Sequence, residues 1–196
     1  MSVVPPSPAK AMTLVSSSPL AISALAILFM AFGALADEPD LSPVTSLAVD
    51  LERVVELGTV SPVDGITAAG QPDKAALEVF ADSGYATVID MRGSDEDRGF
   101  DEAALVESLG MHYVAFPIAS EDDVSFNSAR KLDELLQSSP GPVLVHCASG
   151  NRVGALLALR ASLQGADDAE ALASGREGGL TRLEPLVRER LAEDGK

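Results

Sequence analysis

The chain has one cysteine in 196 residues, Cys147, no tryptophan and only two histidines, His112 and His146. A lone cysteine excludes an intramolecular disulfide framework and any cysteine-cluster metal site. With aromatics at 4%, stacking platforms for single-stranded nucleic acid are poorly supplied. Positive charge is scarce as well: 14 Lys and Arg stand against 30 Asp and Glu, a formal charge of −16. A mean field of that sign repels nucleic acid and anionic membrane surfaces, so neither is expected as a partner, while a local anion pocket remains open. The longest unbroken apolar run, Ala24 to Phe32, is nine residues, whereas a bilayer core of about 30 Å needs about 20 helical residues. What is present is a globular composition, 46% hydrophobic and 22% charged. The length suits one domain, or one domain behind a processed leader.

That apolar run has the length of a signal-peptide hydrophobic region. Ala34-Leu35-Ala36 supplies a small-x-small cleavage pattern, and Asp37-Glu38-Pro39 begins the acidic sequence beyond it. Residues 1–36 are therefore expected to be a signal peptide cut after Ala36, which places the mature chain in the periplasm or outside the cell, with no membrane contact after cleavage. The competing reading is an uncleaved anchor from Leu20 to Ala36; Ser23, Gly33 and the terminal cleavage pattern weigh against it. The segment upstream is rich in Pro and Ser with one cation, Lys10, and both Met1 and Met12 fit as the start of translation. Loss of this leader takes the formal charge from −16 to −17. The remaining chain, about 160 residues, can bury roughly 70% of its unfolded surface. In an exported chain a single cysteine is no staple, so it is either an inert buried residue or a chemical one.

Beyond the leader, residues 37–64 read as an N-terminal extension with one amphipathic helix, Val44 to Leu57, closed by Gly58. Residues 65–196 read as one domain in which strand-like and helix-like segments alternate. β-branched and apolar runs predict strands at 66–69, 85–91, 111–118 and 142–146. Helices are predicted at 72–83, 101–109, 126–136, 153–163, 168–173 and 181–192, with Thr181 and Glu184 as a capping box for the last. The alternation predicts an α/β fold with a mostly parallel central sheet flanked by helices on both faces.

One segment carries chemistry. His146-Cys147-Ala148-Ser149-Gly150-Asn151-Arg152 joins a buried strand to a helix, and in open α/β sheets ligands bind beyond the carboxyl ends of strands. The first N–H groups of a helix lack intrahelical acceptors and sit at the positive end of its dipole, so Ala148, Ser149, Gly150, Asn151 and Arg152 form a candidate binding loop for an anion. The same field favours thiolate over thiol at Cys147. Gly150 lets the loop turn close to a ligand, and Arg152 offers a planar fork to two oxyanion oxygens. His146 is expected beneath the loop, with an N–H holding loop carbonyls. A lone cysteine at a strand end is commonly a small buried hydrophobe; the coincidence of Cys, Gly and Arg in one strand-to-helix loop is what favours a site. The acidic run Asp95-Glu96-Asp97 lacks the spacing of an EF-hand loop and is expected to be a solvated loop. His112, inside a strand, is expected to be structural. Nothing calls for a metal or a cofactor.

These residues resemble the active loop of the cysteine-dependent phosphatase superfamily and, more closely, its bacterial beta-lactamase-hydrolase-like phosphatase-like family. The resemblance runs from about Gly65 to Leu191. It takes in Ile66-Thr-Ala-Ala-Gly70-Gln71-Pro72, Val88-Ile-Asp-Met-Arg92, Gly110-Met-His-Tyr-Val-Ala-Phe-Pro117 and Gly178-Gly179-Leu180-Thr181. It implies a protein tyrosine/dual-specificity phosphatase-like fold, Cys147 as nucleophile, and Arg152 as the clamp on the transferring phosphoryl group. It also implies a phosphorylated small molecule or protein as substrate. Phosphatases of this superfamily usually place five residues between Cys and Arg, and here there are four. That length also resembles the active loop of rhodanese sulfurtransferases, in which Cys147 would carry a persulfide. A leaving oxygen needs a proton, and where related phosphatases often read Pro-Ile-Ala-Asp this chain reads Pro117-Ile118-Ala119-Ser120. Asp122 is the expected acid, with Glu121 and Asp123 as alternatives, unless Asp123 and its neighbours merely cap the following helix. A third reading is a catalytically silent oxyanion-binding module.

Overall fold

The computed structural model describes residues 47–61 and 66–194; the leader and the beginning of the expected 44–57 helix lie outside them. Five strands form one sheet: β1 (Leu47–Ala48), β2 (Ile66–Ala69), β3 (Thr87–Asp90), β4 (His112–Ala115) and β5 (Val143–His146). Their order is β1-β2-β5-β3-β4 and every pairing is parallel. Parallel neighbours need long crossovers, and helices supply them: α1 (Leu51–Leu57), α2 (Lys74–Asp82), α3 (Glu102–Ser108), α4 (Phe126–Ser138), α5 (Asn151–Leu163), α6 (Asp168–Glu177) and α7 (Glu184–Asp194). The predicted α/β class is the observed one, and the neighbouring structures described below share it.

Strand alternation divides the core in two. On one face Ile66, Ala68, Ile89, Val143, Val145 and Cys147 pack under α4–α7 through Leu132, Leu156, Leu172 and Val187. On the other, Ala69, Val88 and Leu144 meet α1–α3 through Val54, Leu77, Phe80 and Val106. β2, β3 and β5 are buried along their whole length, whereas β4, at the edge, exposes His112 and Ala115.

Two expectations change. The helix expected from Val44 starts at Leu51, because Asp50 caps it: its carboxylate accepts from the amides of Glu52 (3.0 Å) and Arg53 (3.3 Å). Leu47–Ala48 before the cap instead adds β1 beside β2, so part of the expected extension belongs to the sheet. Gly58 closes α1 as predicted, in the left-handed conformation. The second change is the capping box of the last helix. The Thr181 hydroxyl donates to Asn151 Oδ1 at 3.1 Å, and Glu184 pairs with Arg176 (2.6 Å) and Arg188 (2.7 Å). α5 and α6 touch backbone to backbone: a Cβ on Gly154 would lie 2.1 Å from Leu180 N and 2.5 Å from Gly175 O. That contact seats the α6–α7 turn against the start of α5, where the site lies.

Candidate active site

β5 carries His146 and Cys147 to the carboxyl edge of the sheet, and the pleat turns these neighbours to opposite faces. The loop after Cys147 lies across the end of β2. The Cys147 N–H donates to Ala69 O and the Gln71 N–H to Ala148 O, each at 3.3 Å. An isolated antiparallel bridge joins Gly70 and Ser149 and turns the Gly150 N–H toward Ala69 O, whereas the N–H groups of Ala148 and Ser149 donate to no backbone carbonyl among the described residues. Gly150, at φ 79°, makes the left-handed turn into α5. Two unpaired amides, of Ala148 and Ser149, at the positive end of a 13-residue helix make an anion cradle.

An open cavity of about 400 Å³ lies beside the cradle, lined by Arg152, Glu96, Ile118, Ser120, Glu121 and Leu183 among others. Cys147 is 1% exposed and does not line it; its thiol, close to Arg152, contributes to raising the pKa of that guanidinium. Asn151, expected in the substrate-binding loop, contributes only its backbone there. Its side-chain Oδ1 turns away and accepts from Thr181 N (2.8 Å), Thr181 Oγ1 (3.1 Å) and Leu183 N (3.3 Å). It ties the α6–α7 turn, and with it one wall of the cavity, to the cradle.

Glu96 makes the contact to Arg152 that the sequence reading missed. In place of a solvated loop, the 92–98 segment folds back on Arg152. Glu96 Oε1 accepts from Arg152 Nη1 (2.6 Å) and Gly93 N (2.8 Å), and Oε2 from Arg152 Nη2 (2.8 Å) and Arg92 Nε (3.2 Å). The guanidinium holds the Glu96 carboxyl far below its ordinary range, at about 2, and the same hydrogen bond pushes Arg152 up. Arg152 Nη1 also donates to Met91 O (3.2 Å) and Ile118 O (3.1 Å). Glu96 therefore takes the end-on edge of the fork, leaving the Nε–H and one Nη2–H without an oxygen acceptor among the described residues. That side-on edge can receive two oxygens of a phosphoryl group.

The acid candidates separate by position. Ser120 opens a 3₁₀ turn, Glu121–Asp123, and Asp123 is its cap. The Asp123 carboxylate accepts from Ala119 N (3.0 Å), Ser120 N (2.8 Å) and Ser120 Oγ (2.9 Å), and the bond from the Ser120 backbone leads in lowering its pKa. Asp122, the expected acid, is exposed and does not line the cavity; Glu121 does.

His146 does not hold loop carbonyls as expected. It is fully buried on the α3 side, with Nε2 2.8 Å from Glu102 Oε1 and 3.7 Å from Asp90 Oδ1. The angles give neither ring nitrogen a hydrogen bond.

A family model described as a DSP-PTPase phosphatase fused to NAD+ kinase matches residues 59–181, more than half of the chain. No curated protein matches it. Among solved structures, a candidate phosphatase from Neisseria meningitidis aligns with a TM-score of 0.56 at 24% identity, over 65% of this chain and 92% of that one. A candidate phosphatase from Shewanella putrefaciens gives 0.53 at 20%, over 74% and 96%. Pseudomonas aeruginosa TpbA in complex with pTyr gives 0.51 at 19%, over 79% and 99%. These likenesses establish a tyrosine/dual-specificity phosphatase-like fold. Since the family match spans β2–β5, the cradle and Arg152, the chain belongs to the DSP-PTPase family within the cysteine-dependent phosphatases.

Proposed function

We propose that this chain is an exported cysteine-dependent phosphatase that hydrolyses phosphomonoesters through a cysteinyl-phosphate. The observation that carries the reading is Arg152, pinned by Glu96 along one edge and without an oxygen acceptor along the other, beside a single sulfur and the free amides of Ala148 and Ser149. The phosphoryl oxygens accept from the amides of Ala148 and Ser149 and from the side-on edge of Arg152. The Cys147 thiolate attacks phosphorus; the S–P bond forms as the bond to the leaving oxygen breaks, and Glu121 gives that oxygen a proton. The Glu121 carboxylate then takes a proton from water, whose oxygen attacks phosphorus. The S–P bond breaks, releasing phosphate and the thiolate.

Export rests on the leader's apolar run and on Ala34-Leu35-Ala36. No helix among the described residues is long and apolar enough to cross a membrane. The substrate class is a phosphorylated small molecule or protein; pTyr is the ligand in the TpbA complex. The four-residue spacing from Cys147 to Arg152 favours sulfur transfer as a second reading. The deciding experiment takes residues 37–196 and measures, in parallel, phosphate release from an aryl phosphate and mass gain on Cys147 after thiosulfate. The expected result is phosphate release that disappears in Cys147→Ser and no added sulfur. A persulfide without phosphate release moves the assignment to sulfur transfer. Arg152-dependent phosphate binding with neither chemistry makes the chain a silent oxyanion-binding module.

A further inference from the structure

We infer that Arg98 is a positioning residue for this reaction, acting through Glu96 on Arg152; the inference rests on the phosphatase reading above. A guanidinium has five N–H donors, and Arg98 makes four hydrogen bonds with them. Nε donates to Asp90 Oδ2 (2.7 Å), Nη1 to Gly93 O (3.1 Å) and Glu96 O (2.9 Å), and Nη2 to Arg92 O (3.1 Å), while Nη2 also lies 2.6 Å from Asp90 Oδ2 as an ion pair. One side chain thus gathers three carbonyls of the turn that presents Glu96.

Its anchor is buried. Asp90, at 0% exposure, also accepts from Tyr113 Oη (2.7 Å) and Arg92 N (2.8 Å). Glu102 lies 3.7 Å from Arg98 Nε and accepts from Gln71 Nε2 at 2.8 Å, and Gln71 Oε1 in turn accepts from Arg92 Nη1. Asp90, Glu102 and His146 lie close enough together to suit a cation, but Arg98 already supplies the positive charge there. The chain of support runs from the end of β3 to Arg98, from Arg98 to the 92–96 turn, and from Glu96 to the end-on edge of Arg152. Without it, Asp95, Glu96 and Asp97 would repel one another toward solvent. A lysine can keep the ion pair with Asp90, but its three donors on one atom cannot also span three carbonyls.

Arg98→Ala would strand two buried carboxylates and risks unfolding, so the test is a double-mutant cycle with Arg98→Lys and Glu96→Gln in residues 37–196. It reads kcat and KM on an aryl phosphate, vanadate affinity and the thermal midpoint. Misplacing a catalytic group by about 1 Å costs on the order of 10²-fold, so each single variant is expected to lose roughly 10- to 100-fold in kcat/KM. The double variant is expected to be no worse than the poorer single, because both act through one carboxylate. Losses that multiply, or an Arg98→Lys that lowers the thermal midpoint with kcat/KM unchanged, overturn the inference. If the wild type shows no turnover, the phosphatase reading fails, and the same cycle read by vanadate affinity still decides the link: a shared loss supports it, and multiplied or absent losses overturn it.

Discussion

His146 and Cys147 are consecutive residues on opposite faces of one sheet, and the faces handle charge in opposite ways. Beneath α4–α7, Cys147 belongs to an apolar cluster with Val145, Phe116, Ile118, Val153 and Leu156, and the buried Asp90, Glu102 and His146 lie on the other side of the sheet. Charge on its sulfur must be met by the backbone of the loop and by Arg152. Toward α3, the fully or almost fully buried Asp90, Glu102 and His146 crowd around Arg98 and Tyr113. Burial, reinforced by the hydrogen bond to Asp90, pushes the Tyr113 pKa up, so this phenol stays a donor. A dry floor concentrates the field of a few fixed dipoles on one reacting atom. The charged interior on the other side spends its ions on holding a loop in place.

The contrast predicts that the two faces fail differently. Cys147→Ser removes the one nucleophile and exchanges one small side chain for another on the apolar side. Turnover of an aryl phosphate is expected to fall by at least about 10³-fold, with vanadate binding retained and the thermal midpoint close to wild type. Residual turnover near the wild-type rate would mean that the apolar face does not carry the chemistry. Asp90→Asn attacks the other face. It breaks the close ion pair with Arg98, leaving that guanidinium only Glu102 at 3.7 Å, and chemical denaturation should show a loss of about 3 kcal/mol. A loss below about 1 kcal/mol would show that the cluster is not the anchor. Asn151→Ala lies where the faces meet the turn. It strips the acceptor from Thr181 N, Thr181 Oγ1 and Leu183 N, for an expected cost of about 1–3 kcal/mol. A raised KM should accompany it, since Leu183 lines the cavity; unchanged KM with lowered stability would detach the α6–α7 turn from substrate binding.

The α/β class and the cradle were readable because both are local. β-branched runs marked β3 and β5, and Cys147 to Arg152 spans one loop and one helix start. β1 was hidden because the Asp50 cap, rather than the helical spacing of Leu47, decides where α1 begins. The face occupied by His146 was readable in principle, since Val145 and Cys147 share the apolar face and the residue between them must leave it. Glu96 carried no local signal: its partner Arg152 is 56 residues away, and an acidic run between two elements ordinarily reads as solvated. The same holds for Thr181, whose hydroxyl is taken by Asn151, 30 residues earlier, before it can cap α7.

The smallest expected effect concerns pH and isolates the clamp from the chemistry it supports. The Glu96 carboxyl, ordinarily at 4.5, is drawn down to about 2, chiefly by its hydrogen bond from Arg152. A group with a depressed pKa contributes fully above its ordinary value and loses that contribution as pH falls through the folded one. The pair should therefore not titrate between about pH 5 and 8. The ratio of kcat/KM for wild type to that for Glu96→Gln is expected to stay flat across that window, and to shrink slightly with added salt because the pair is partly exposed. A ratio that collapses toward one between about pH 6 and 5 would mean that Glu96 protonates within the working range and releases the end-on edge of Arg152. If the ratio is flat, any acid limb in the wild-type profile belongs to the reacting groups, and the edge that faces the phosphoryl oxygens keeps its charge while they titrate.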